Sequence, residues 1–267
     1  PKDLVQAVIG DGETGQHLIA AGPDLVFFTG SLETGRAVMQ TAAQHPIPVI
    51  LELGGKDAML ILADANLERA SHAALYGAFS NSGQVCMSLE RIYVDRHCHD
   101  VFLQALVDKL ATLQAASGLA GDYGPLCTEA QFMRLQRQYE DAIAQGAMAS
   151  GPLIRTGNFI QPVVLWNVTP QMRIMQEESF GPIVAVMAFD DTQQAVDLIN
   201  DCQYGLNGSI FSRNIALANA LARQLELGNW AINDVIKNAG HAGLPFGGVK
   251  HSGYGRYRGA EGLHQFS

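Results

Sequence analysis

Short apolar runs alternate with amphipathic stretches along the opening of the chain, and this alternation predicts strands joined by helices. "LVQAVIG" (Leu4–Gly10) is an apolar run with turn residues behind it and reads as a first strand. "GQHLIAAG" reads as a short helix, "DLVFFTG" (Asp24–Gly30) as a second, buried strand, and "TGRAVMQTAAQ" as the next helix. "IPVILELGG" (Ile47–Gly55) follows as a third strand. Strands and helices of these lengths in alternation form βαβ units, so an α/β fold with a parallel sheet is expected.

The rhythm continues beyond Lys56 in different proportions. "DAMLILAD" (Asp57–Asp64) is a strand, a helix begins near Asn66, and "ERIYVD" is a strand. The next helix repeats Phe102, Leu106, Leu110 and Leu113 on one face. Thr128 and Gln131 form a capping-box pattern, opening a helix that carries Phe132, Leu135, Tyr139 and Ile143 on one side and ends at Gly146. Later come the strands "QPVVLWNV", "PIVAVMAF", "GSIFS" and "NWAIN", with the helices "TQQAVDLINDC" and "IALANALARQLELG" between them. The closing "GLPFGGVKHSGYGRYRGAEG" is too glycine-rich for a regular core and reads as an ordered loop over a site. A doubly wound dinucleotide domain has about five or six strands. Only three are expected before Lys56, so the chain reads as one that starts in the middle of a domain.

Composition narrows the function classes. With 48% apolar and 16% charged residues in 267, the chain is neither disordered nor a polyelectrolyte. A net charge of −9 argues against a general nucleic-acid binder, which needs a basic face. No apolar run approaches the ~18 residues of a membrane span, and "PKDLVQAVIG" lacks a signal-peptide layout. A soluble cytoplasmic protein is therefore expected. Cys86, Cys98, Cys127 and Cys202 are scattered with no C-x-x-C pair, which favours free thiols. "HCHD" (His97–Asp100) lacks a second ligand group at zinc-like spacing, so it reads as structural or surface and no metal is expected.

Five stretches carry candidate chemistry. "GDGETG" (Gly10–Gly15) matches G-x-G-x-x-G between an expected strand and helix, with Glu33 further on. Such turns are also common in α/β proteins that bind no dinucleotide. "FTGSLETG" (Phe28–Gly35) is a second glycine turn, where Gly30 and Ser31 could offer a phosphate backbone N–H groups and a hydroxyl, or simply form a tight turn. "LELGGK" (Leu51–Lys56) sets Glu52 in an apolar strand, where burial should raise its pKa as a general base near neutral pH requires. "EESFGP" (Glu177–Pro182) joins two acids to a turn and by itself reads as a loop with surface charge. Cys86 stands behind a Gly-Gln-Val turn in "GAFSNSGQVCMSLERIYV", either as inert packing or as a nucleophile.

Taken together and in order, "FTGSLETGR", "LELGGK", "FSNSGQVC", "EESFGPIV" and "LPFGGVKHSGYGR" resemble the aldehyde dehydrogenase superfamily, NAD(P)-dependent enzymes that oxidise aldehydes to carboxylic acids. The 34-residue step from Glu52 to Cys86 is similar to the family's spacing of base and nucleophile. The resemblance implies that Cys86 is the nucleophile and Glu52 the base that activates water, with a further part in deprotonating Cys86. It implies that Gly30, Ser31 and Gly35 belong to the phosphate turn, that Glu178 holds the nicotinamide ribose with Phe180 packed near it, and that the backbone of Leu53 approaches the nicotinamide. Gly10 becomes a contact near the adenosine half, and the Cys86 N–H becomes half of an oxyanion hole. The cofactor is NAD or NADP. The implied organisation is the C-terminal part of a cofactor domain (1–53), an α/β catalytic domain (54–240) and a glycine-rich loop and return segment (241–267).

The family's asparagine oxyanion donor and cofactor-binding lysine would lie upstream of this chain, and its closing strand for subunit pairing downstream. Two functions from different classes follow. One is a hydrolytic aldehyde dehydrogenase, in its intact form a dimer or tetramer, favoured over the CoA-acylating branch because Glu52 is present. The other is a non-catalytic fragment of such an enzyme; residual esterase-like acylation of Cys86 is a lesser possibility. The flavour of the motifs is similar to bacterial semialdehyde and aryl-aldehyde members.

Overall fold

The computed structural model describes residues 2–116 and 120–267. Helix α1 (Gly12–Ala20) opens on Asp11, whose carboxylate accepts the N–H groups of Glu13 and Thr14. Strand β1 (Val26–Thr29) leads into α2 (Leu32–Ala43), where Ser31 Oγ accepts the Thr34 N–H. Strand β2 (Val49–Glu52) then returns parallel to β1, completing the expected βαβ unit. Leu4–Gly10, expected as a strand, is irregular, and Leu4, Val5 and Ile9 are 75%, 90% and 99% exposed. An apolar run becomes a strand only when a neighbouring ladder satisfies its backbone. Among the described residues, none pairs with this one.

The chain crosses into a larger sheet with β3 (Asp57–Ile61), α3 (Leu67–Phe79), β4 (Leu89–Asp95), α4 (His99–Leu110) and α5 (Glu129–Ala144). Strand β5 (Met148–Ala149), the hairpin β6 (Arg155–Thr156) and β7 (Phe159–Ile160), and β8 (Val163–Trp166) come next. They are followed by α6 (Arg173–Gln176), β9 (Ile183–Phe189), α7 (Thr192–Asn200), β10 (Tyr204–Gly205), β11 (Asn207–Phe211), α8 (Ile215–Ala222) and β12 (Asn229–Ile232). The seven strands run in the order β12-β11-β3-β4-β9-β8-β5, parallel except at the β5–β8 edge.

Parallel strands are covered on both faces, and the core divides accordingly. Along β3, Ala58 and Leu60 join one apolar cluster with Leu135, Ile183 and Phe189. Met59 and Ile61 join the other with Ala74, Phe102 and Leu106 from α3 and α4. This explains why the strands read as continuous apolar runs. No helix among the described residues is long and apolar enough to cross a membrane.

Past α9 (Lys237–Gly240), the glycine-rich end, expected as a loop, contains β13 (Val249–Lys250), β14 (Gly253–Tyr254) and α10 (Gly259–Gln265). Strand β13 pairs with β10, while β14 adds antiparallel to β2, opposite Leu51 and Glu52. Gly253 makes this possible, with φ +107° and no room for a Cβ against the Leu51 carbonyl. The segment therefore ties the small sheet to the larger unit beside Glu52.

Candidate active site

Glu52 ends β2 and is 3% exposed. Its Oε1 is buried without a hydrogen-bond partner. Burial pushes its pKa up to about 7, against the pull of the Arg258 charge. Its backbone stays in register, because its carbonyl accepts the Gly30 N–H at 3.1 Å. An unpaired buried carboxylate is costly, and its retention is the kind of local violation that marks a working site.

Cys86 reaches the same region by a tight path. Helix α3 is followed by a 3-10 turn, Ser80–Gly83, in which Asn81 and Ser82 stand at φ 52° and 57° and Gly83 at φ 69°. The Ser82 hydroxyl donates to the Gly124 carbonyl at 2.7 Å, and the Asn81 amide to the Gln84 carbonyl at 3.0 Å. Cys86 then packs half-buried against the cluster of Met87, Leu206 and Phe246, with Tyr257 beside it. Burial first, then the negative charges of Glu52, Asp57 and Glu178, push the thiol up to about 12. The group is thus held as a thiol rather than as a preformed thiolate, so its activation needs a base at the moment of attack.

Two glycines bring these parts together. A side chain on Gly54 would collide with the Glu178 carboxylate, and one on Gly55 would meet the Cys86 carbonyl oxygen at 2.5 Å. The Gly55 N–H donates to Glu178 Oε1 at 3.1 Å. Burial, then the Glu90 charge, raises Glu178 to about 7. "LELGGK" is therefore a close-approach segment as well as the carrier of Glu52.

Glu178 also lines a cleft of about 630 Å³ with Ser31, Glu33, Arg36, Arg134 and Tyr204. The cleft faces the N-terminal end of α2, where backbone N–H groups and the helix dipole favour anions. Gly35 is buried one turn into α2, and a Cβ there would meet Leu53 Cδ2 at 2.6 Å, so Leu53 packs onto the helix. Leu53 donates its N–H to the Ser252 carbonyl at 3.1 Å. Phe180 is half-buried at φ +50°. Cys86, Glu52, Glu178, Leu53, Gly30, Ser31 and Gly35 thus belong to one contiguous region.

Gly10 does not join them. It sits exposed ahead of α1 with no strand before it among the described residues, which lack the strand–turn–helix context of a dinucleotide fingerprint. The Asp11 carboxylate already takes the first N–H groups of α1, where a phosphate would have to bind.

The sequence reading missed several residues here. Asp57 is buried beside Cys86, accepting the Asn207 N–H at 3.1 Å with Oδ2 unpartnered. Gln131 shows only half of a capping box. Its N–H goes to Thr128, while its side-chain amide donates to the carbonyls of Ser179 and Phe180. Lys56 and Glu90 form a buried ion pair at 2.6 Å. The sequence signal for that pair is a run of two adjacent charges, Lys56–Asp57 and Glu90–Arg91, at the start of each otherwise apolar strand.

The family model described as the aldehyde dehydrogenase family matches residues 1–267. The 4,4'-diapolycopene aldehyde oxidase of Methylomonas sp. is 62% identical over 267 residues, covering 100% of this chain and 50% of that protein. The vanillin dehydrogenase of Pseudomonas fluorescens is 40% identical over 246 residues, 91% of this chain and 50% of that protein. Betaine aldehyde dehydrogenase of Staphylococcus aureus, solved in complex with NAD+, superposes with a TM-score of 0.89 at 37% identity, over 97% of this chain and 53% of that chain. The chain spans about half the length of the curated relatives it matches.

Proposed function

Because the chain belongs to the aldehyde dehydrogenase family, we propose that it carries the nucleophile and base of an NAD(P)-dependent, hydrolytic aldehyde oxidation. The observation that carries this reading is the placing of a half-buried thiol, Cys86, beside Glu52, whose Oε1 is buried without a hydrogen-bond partner. Cys86 Sγ attacks the aldehyde carbon, and its proton passes to the Glu52 carboxylate directly or through water. The resulting hemithioacetal oxygen is met by the Cys86 backbone N–H. Ser31, Glu178 and Phe180 would hold the cofactor, and its nicotinamide would supply the hydride acceptor that oxidation of the adduct to a thioester requires. Glu52, ionised once more, takes a proton from water as it adds to the thioester carbon. Collapse breaks the C–S bond, releases the carboxylic acid and restores the thiol.

The cleft residues fit such a cofactor. Ser31 and the start of α2 suit its phosphates, and Glu178 suits a ribose hydroxyl pair. Phe180 and the Leu53 backbone suit the nicotinamide end. In this reading, 1–53 belong to the cofactor domain, 54–240 to the catalytic domain and 241–267 to a return segment. Its setting is the cytoplasm, where four unpaired thiols stay reduced. An apolar or aryl aldehyde is the preferred substrate. The support is the 62% identity to an enzyme named for a diapolycopene aldehyde and the apolar cluster of Met87, Leu206 and Phe246 around Cys86.

The test is to mix the protein, with Glu52 intact, with NAD and an aryl or polyene aldehyde, quench with acid within one turnover, and weigh the Cys86 peptide. An acyl adduct on Cys86 of the aldehyde's mass less two hydrogens, one lost as hydride and one as a proton, is expected in both the 267-residue chain and the full-length protein. An adduct in the full-length protein alone supports the fragment reading of this chain, and an adduct in neither sinks the proposal.

A further inference from the structure

Glu52 and Cys86 are each followed four residues later by a charged residue, Lys56 and Glu90, so the 34-residue separation recurs in a second pair. These two charges meet as an ion pair with side chains 0% and 3% exposed. Backbone geometry aims Glu90 there. Between β3 and β4, Asp57 pairs with Leu89 but Ala58 pairs with Arg91, leaving Glu90 as the extra residue of a bulge. Bulges turn a side chain out of its expected place and cluster beside active sites. Arg91, buried next to it, donates from Nε to the Lys56 carbonyl at 3.0 Å and steadies the same corner.

The Glu90 carboxylate does more than meet Lys56. It accepts the Ser179 N–H at 3.0 and 2.8 Å and the Phe180 N–H at 2.8 Å. Lys56 Nζ donates to Ser179 Oγ at 3.0 Å, and that hydroxyl donates to Gln138 Oε1 at 2.8 Å. The Gln138 amide in turn donates to the carbonyls of Glu177 and Glu178, each at 3.2 Å. Phe180 stands at φ +50°, a conformation costly for a bulky residue unless its surroundings over-determine it. The two N–H bonds to Glu90 supply that constraint.

We infer that Glu90, charge-balanced by Lys56, is the positioning residue of the Glu178–Phe180 segment, and that it sets cofactor affinity without touching the cofactor. This rests on the reading above that Glu178 and Phe180 face a nicotinamide cofactor. The bulge, the ion pair and the paired N–H bonds act as one unit. The bulge delivers the carboxylate, Lys56 pairs with it in a buried place, and the carboxylate fixes two consecutive peptide units.

Two readouts test it in the full-length protein as its gene encodes it. One is the calorimetric Kd for NAD, and the other is hydrogen exchange at the Ser179 and Phe180 amides. Glu90→Ala should weaken NAD binding about tenfold or more and abolish protection of both amides. Aldehyde-independent alkylation of Cys86 should stay within about twofold, since the thiol makes no bond to this network. Glu90→Gln keeps one acceptor and is expected to weaken binding by about threefold. Ser179→Ala leaves both N–H bonds in place and should change the Kd by less than Glu90→Gln does. If Glu90→Ala does not fold, the glutamine and alanine variants decide the matter. An unchanged Kd in folded Glu90→Gln, or equal effects of Glu90→Gln and Ser179→Ala, overturns the inference. Glu178→Gln separates it from the underlying reading. If that variant binds NAD normally, both readings fail; if only that variant weakens binding, the cofactor site stands and the role of Glu90 falls.

Discussion

Two carboxylates, Glu52 and Glu90, are buried to almost the same degree, 3% and 2% exposed, and they differ in every partner. Glu52 has an oxygen with no hydrogen bond, while Glu90 holds Lys56 and two backbone N–H groups. Burial by itself therefore says little about what an acid does. An orphaned carboxylate is poised to exchange a proton near neutral pH. A saturated one organises the chain around it through its hydrogen bonds.

Experiments that invert the two environments sharpen the contrast. The largest effect is expected on turnover. In the full-length enzyme Glu52→Gln should lower the hydrolytic rate by about 10²–10⁴-fold, and Cys86→Ala should abolish it. The wild-type rate should climb with pH through about 7, as Glu52 ionises, and lose that limb in Glu52→Gln. A rate profile flat across this range would detach Glu52 from catalysis.

Breaking the saturated pair comes next. Lys56→Met strands the Glu90 charge in the interior, and urea unfolding should show a loss of about 3–5 kcal/mol. Adding Glu90→Leu should recover only part of it, because the Ser179 and Phe180 N–H groups stay unpaired. Full recovery would reduce the network to an ordinary ion pair.

The smallest effect is on stability against pH. Glu52 has its folded pKa raised from 4.5 to about 7, so the fold favours its neutral form. Its contribution is fully present below about pH 4.5 and is lost as pH rises through 7. Glu52→Gln cannot ionise. Its Tm should match the parent at pH 4 and exceed it by about 2–4 °C at pH 8. No gap at pH 8 would mean that solvent relieves the carboxylate.

Much of this was legible in the sequence where the signal is local. The βαβ rhythm, the N-cap at Asn66 and the capping Thr128 each depend on residues within one turn of one another. The motif order also points to Cys86, Glu52 and Glu178, because each motif is read within a few positions. Leu4–Gly10 failed as a strand because an apolar run does not carry its own pairing partner. Gln131 was legible as a helix start and illegible as the clamp on Ser179, 48 residues away.

The sequence alone determined the alternation of elements, the order of the site motifs and the burial of an acid within β2, since hydropathy periods and turn residues act over a few positions. Only the tertiary structure decided which acids are paired, that the bulge turns Glu90 inward, and that burial, followed by three neighbouring carboxylates, holds Cys86 as a thiol. Those outcomes depend on distances between segments far apart in the chain, and the electrostatics of a buried group is set by what folding places beside it.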